Sequence, residues 1–61
     1  MPFIQIYMVE GRTVEQKREL AEVLTKEVAR IAKADPHAVH IHFFDLAKEN
    51  MADAGILKIN Q

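Results

Sequence analysis

The sequence predicts an α/β protein built on one βαβ unit, and three observations carry that prediction. Residues 2–9 and 38–46 are short apolar segments of strand length. Between them lies a stretch of about twenty residues whose apolar positions recur at helical spacing. Pro36 then separates that stretch from the second strand segment, because the residue before a proline is pushed out of helical geometry. A strand, a crossover helix and a second strand make a unit whose strands run parallel, with a right-handed connection.

The first segment holds Phe3, Ile4, Ile6, Tyr7, Met8 and Val9, with Gln5 as its only clearly polar interior residue. A strand that is apolar on both faces is expected to be covered on both. Glu10-Gly11-Arg12 makes the turn that follows. Thr13 is a good helix N-cap, and Gln16 three residues later completes a capping box. From residue 14 to about residue 33, Val14, Ala21, Leu24, Val28 and Ile31 fall on one helical face. Ala34-Asp35-Pro36 stops the helix. In the second strand, Val39, Ile41 and Phe43 alternate with His40, His42 and Phe44. Beyond Lys48 the pattern loosens into a tail, where Gly55 followed by Ile56-Leu57-Lys58-Ile59 suggests a short extended piece.

With 61 residues the chain forms one domain, residues 1–61, and a chain of that size is marginal by itself. Small domains gain stability from disulfides, a metal or partner subunits, and the absence of cysteine removes the first. Hydrophobic residues make up 49% of the sequence, a high fraction for a chain that must also cover itself with polar groups. One helix covers one face of two strands and leaves the other bare, so a second copy is expected to supply the missing cover. Eight basic and nine acidic residues give a net charge of -1, which argues against nucleic acid or an anionic membrane as the main partner. No apolar run approaches the ~20 residues of a membrane span and no signal-peptide pattern is present, so the expected compartment is the cytoplasm.

Serine and cysteine are both missing, which leaves hydroxyl and thiol nucleophile triads almost nothing to work with. There is no P-loop, no dinucleotide fingerprint and no pair of close carboxylates. His40-Ile41-His42 places two imidazoles on one strand face, with His37 close in sequence. Two histidines are a weak metal signal, and the favoured reading is a polar groove or subunit contact with no metal. Arg12 reads by itself as an exposed turn residue beside a helix start. Pro2 reads either as a strand-edge residue or, once Met1 is removed, as a free secondary amine.

The Met-Pro start, the apolar first strand, "EGRT" ten residues on and the Glu15-Gln16-Lys17 helix start together resemble the 4-oxalocrotonate tautomerase family. The resemblance covers nearly the whole chain, including the Pro36 break and the Val39-His40-Ile41 strand. It implies a βαβ protomer pairing into a four-stranded dimer sheet, with three dimers commonly forming a hexamer. It also implies an enzyme without cofactors that loses Met1 and uses Pro2 as its catalytic base on small enol or α-keto acids.

That chemistry is consistent with the residues. An α-amino group titrates near ~8 in water, and an apolar surround, for which Phe3, Tyr7 and Met51 are candidates, favours its neutral form. The neutral amine takes a proton from an enol hydroxyl and returns it to carbon, while Arg12 holds a substrate carboxylate. The family's second arginine, on the second strand, corresponds to His40 here, and an aromatic wall late in the family's chain corresponds to Met51. The family's glycine-rich tail is reduced to Gly55 among Ala52 and Ala54. These departures move the expected substrate away from dicarboxylates. The alternatives are a relative that hydrates or dehalogenates an unsaturated acid with protonated Pro2, and a non-catalytic oligomeric binding module that keeps Met1.

Overall fold

The computed structural model describes all residues from Met1 to Gln61. Strand β1 (Phe3–Val9) leads into helix α1 (Val14–Ala32) and strand β2 (His40–Leu46). The two strands pair in parallel from Phe3 opposite His40 to Val9 opposite Leu46, which is the expected βαβ unit. Two further backbone bonds extend the ladder at its ends: the His40 N–H donates to the Pro2 carbonyl at 2.9 Å, and the Glu10 N–H donates to the Leu46 carbonyl at 2.8 Å.

The helix begins as its sequence dictates. The Thr13 hydroxyl accepts from the Gln16 N–H at 3.1 Å, and the Gln16 side-chain oxygen accepts from the Thr13 N–H at 2.9 Å. This reciprocal box satisfies two of the N–H groups that a helix start leaves without intrahelical partners. The helix stops at Lys33, which takes a left-handed conformation at φ 54°, and the Ala34 N–H bonds back to Ala29. A single 3₁₀ turn (Pro36–Ala38) follows, so β2 starts at His40 rather than at residue 38. Asp35 caps that turn, and the N–H and ring of His37 both bond its carboxylate, holding the Asp35 carboxyl below its ordinary value.

Lys17, Leu20, Ala21, Leu24, Thr25, Val28 and Ala29 are the partly covered helix residues, so Leu20 belongs to the sheet-facing stripe although the sequence pattern passed over it. Lys17 reaches Asp45 of β2 at 2.5 Å and ties helix to sheet. Val14 and Ile31, expected on the same stripe, are 67% and 69% exposed. A 19-residue helix is ~28 Å long whereas a 7-residue strand spans ~23 Å, so the helix ends overhang the sheet.

The tail is more ordered than one extended piece. Strands β3 (Ala52–Asp53) and β4 (Ile56–Leu57) form an antiparallel hairpin through Ala54-Gly55, both at positive φ (52° and 84°). Two positive φ values in a two-residue loop are the pattern of a type I′ turn, whose twist matches that of the strands it joins. The hairpin and the last turn (Lys58–Asn60) pack mainly on the turn that follows β2 (Lys48–Asn50). The Lys58 N–H donates to the Met51 carbonyl at 2.8 Å.

None of the 61 residues is buried. The chain measures 42 × 23 × 13 Å with a radius of gyration of 14.6 Å, against ~10.5 Å for a compact chain of this length. On the face of the sheet away from the helix, Phe3 and Tyr7 are each 61% exposed. The double cover expected for β1 is therefore not provided within one protomer.

Candidate active site

The candidate residues fall at two ends of the sheet. Pro2 and His40 meet at the end where β1 and β2 begin. Parallel pairing sets His40 opposite Phe3, and the hydrogen bond from the His40 amide to the Pro2 carbonyl joins the two candidates directly. Pro2 is half-buried, and the His40 side chain stands on the open face. Its imidazole stacks on the Phe3 ring, with centroids 5.1 Å apart and planes 21° from parallel. Two steps of side-chain alternation further on, past Gln5 and His42, Tyr7 stacks on Phe44 at 4.7 Å and 14°. Phe3 and Tyr7, expected as an apolar surround for Pro2, both take part in this cross-strand aromatic pairing.

Arg12 lies at the opposite end, in the turn that leaves β1. Seven residue steps separate Pro2 from Val9, or ~23 Å at strand rise, so one protomer does not bring Pro2 and Arg12 together. Met51 also follows from this far end, after β2 and the Lys48–Asn50 turn. Gly11 supports the turn with φ 117°, a conformation that residues with a Cβ rarely adopt.

Arg12 lines an open groove of about 400 Å³ with Met8, Gln16, Glu19, Leu20 and Val23. Its electrostatic setting differs from that of the other two arginines. Arg18 pairs with Glu15, and Arg30 pairs with Glu27 at 2.6 Å, each three residues apart on the helix. Arg12 makes no ion pair and no side-chain hydrogen bond. A guanidinium held beside apolar Met8, Leu20 and Val23 with no internal counterion is suited to receive a carboxylate in bidentate fashion.

The three histidines do not converge. His40 and His42 share the open face of β2, whereas His37 is held by Asp35 in the preceding turn, 3.1 Å from its carboxylate. No three His, Cys, Asp or Glu side chains come together as a metal-ligand group. No helix is long and apolar enough to cross a membrane.

A βαβ unit this short, with a proline at the head of β1 and a free arginine at its foot, defines a class that comparison with known proteins identifies. Residues 2–58 match the sequence profile of the family described as Tautomerase enzyme. The chain is 41% identical over 56 residues to the 2-hydroxymuconate tautomerase of Comamonas testosteroni, covering 92% of this chain and 89% of that one. Among solved structures, a 4-oxalocrotonate tautomerase isozyme of Methylibium petroleiphilum superposes with a TM-score of 0.90 at 38% identity, covering 95% of this chain and 91% of that one. A heterohexamer 4-oxalocrotonate tautomerase from Chloroflexus aurantiacus superposes with a TM-score of 0.89 at 29% identity, covering 97% and 95% of the two chains. The chain belongs to the tautomerase family. Its relatives within that family include solved 4-oxalocrotonate tautomerases.

Proposed function

We propose that this chain is a cofactor-independent tautomerase that converts small enol carboxylic acids to their keto forms, with Pro2 as general base after Met1 is removed. The observation that carries the reading is Arg12, the one arginine left without an acidic partner, set beside an apolar groove. The neutral Pro2 amine removes the enol hydroxyl proton and delivers a proton to carbon. Arg12 holds the substrate carboxylate, and His40 acts as a neutral hydrogen-bond donor where an arginine would carry permanent charge. Met51 supplies a soft apolar wall.

The ~23 Å from Pro2 to the foot of β1, beyond which Arg12 lies, supports a site composed from different copies, because no single protomer unites base and clamp. The bare sheet face and the lack of any buried residue support the same conclusion. In this reading two protomers join into a four-stranded sheet and three such dimers form a hexamer. The expected site of action is the cytoplasm, with no nucleic acid or membrane partner.

Intact mass measured alongside turnover tests the reading. Chains lacking Met1 should isomerise a panel of mono- and dicarboxylate enols, and chains retaining Met1 should not, since their Pro2 nitrogen is an amide. Processed chains with no turnover on any member of the panel would leave the non-catalytic binding module as the better account. Sedimentation of a folded monomer at micromolar concentration would refute the assembly.

A further inference from the structure

We propose that Phe3 is a positioning residue that holds the His40 imidazole in one orientation at the head of the sheet. The inference rests on the tautomerase reading above and goes beyond it by giving the His40 side chain a dedicated support. A histidine on an exposed strand face ordinarily samples several χ1 and χ2 wells, so its hydrogen-bonding edge has no fixed direction. Here the backbone of His40 is fixed by its bond to the Pro2 carbonyl, and parallel register puts Phe3 directly across from it. The two rings lie nearly flat on one another, 5.1 Å apart and 21° from parallel, as offset aromatic pairs do.

The arrangement has a specific consequence. With one face of the imidazole laid on the Phe3 ring, its two nitrogens are confined to the edge. A donor on that edge points along the sheet surface and does not swing freely into solvent. A planar enol carboxylate meeting this edge is recognised by direction, since neutral imidazole lacks the long reach of an arginine. Phe3 need not touch the substrate to matter. Within the protomer the stack on Phe3 is the ring's one aromatic partner, and the His40 side chain makes no hydrogen bond and no ion pair.

The test combines Phe3→Leu and Phe3→Tyr, each made in the natural background and in His40→Ala, and all variants are checked for unchanged mass in sedimentation. With His40 present, Phe3→Leu should lower kcat/KM on a monocarboxylate enol about three- to tenfold, and Phe3→Tyr, which keeps the aromatic face, should leave it near the unaltered value. In the His40→Ala background, Phe3→Leu should cost nothing further. NMR gives a readout that activity does not: the ring protons of His40 should be shifted by the Phe3 ring current, and Phe3→Leu should move them towards the positions of the unstacked His37. Equal losses in both backgrounds, or His40 resonances indifferent to Phe3→Leu, would overturn the positioning role while leaving the tautomerase reading intact. Absence of turnover in the unaltered processed protein would overturn both together.

Discussion

The two ends of the β1–β2 sheet are built on different principles. At the head, Pro2 and His40 are joined through the strand ladder, and an aromatic stack holds the imidazole. Their positions follow from backbone register, which a single substitution does not easily shift. At the foot, Arg12 hangs from a turn whose shape depends on Gly11, and its guanidinium is exposed and free of partners. One end offers fixed geometry and no permanent charge, and the other offers permanent charge with adaptable geometry. Proton transfer needs the first quality, because reacting atoms must meet within hydrogen-bond distance. Capture of a carboxylate is served by the second, since a long cation can adjust to its target.

The contrast is broken most severely at the head. Pro2→Ala in processed protein should lower turnover about 10²- to 10⁴-fold, the usual contribution of a positioned general base, with the remnant due to the new primary amine. Unchanged kcat/KM would remove Pro2 from the mechanism. At the foot, Arg12→Ala should act mainly on KM and reduce kcat/KM about ten- to hundredfold, the worth of a charged hydrogen bond. Because the two ends are ~23 Å apart in one chain, mixing the two impaired proteins and letting subunits exchange should give more activity than the sum of the two alone. Failure of every mixture to recover would place base and clamp in the same chain.

A finer test gives the head the charge that it lacks. His40→Arg should raise kcat/KM on dicarboxylate enols about ten- to hundredfold relative to matched monocarboxylates. A ratio left unmoved by the substitution, at every pH assayed, would mean that position 40 does not face the substrate. The smallest effect lies in the helix that spans both ends. Thr13→Ala removes half of the capping box and should cost about 1 kcal/mol of stability, read as a lower denaturant midpoint with activity otherwise retained.

The sequence made some of this legible and obscured the rest for identifiable reasons. The capping box, the Pro36 break and the alternation along β2 each follow from local chemistry, so Thr13, Gln16 and the two faces of His40–Phe44 are read directly from the sequence, whereas the register of β1 on β2 is not. The helix stripe was harder. Periodicity reports which residues share a face but not where the sheet ends, so Val14 and Ile31 were assigned to a cover that does not reach them, and Leu20 was missed. The tail hairpin was hidden because Ala54-Gly55 lacks the Asn or Asp that usually announces a type I′ turn; Ala54 takes positive φ without that advertisement. Pro2, Arg12, His40 and Met51 stand out through the resemblance to the 4-oxalocrotonate tautomerase family, position by position along the chain. Their division between two ends of the sheet is a property of three-dimensional spacing, which no motif encodes.

On the assembly proposed above, the absence of any buried residue ties this chain's stability to its concentration. A domain with its own interior folds in a first-order step, and its stability is the same in a crowded or a dilute solution. A chain whose apolar surface finds cover only against other copies folds in a step of higher molecularity, so each tenfold dilution of a dimerising chain costs about 1.4 kcal/mol of stability. Its melting temperature should climb with protein concentration, and its catalytic sites should vanish together with its secondary structure as the solution is thinned. For such a chain dilution does the work that heat does for a self-contained domain.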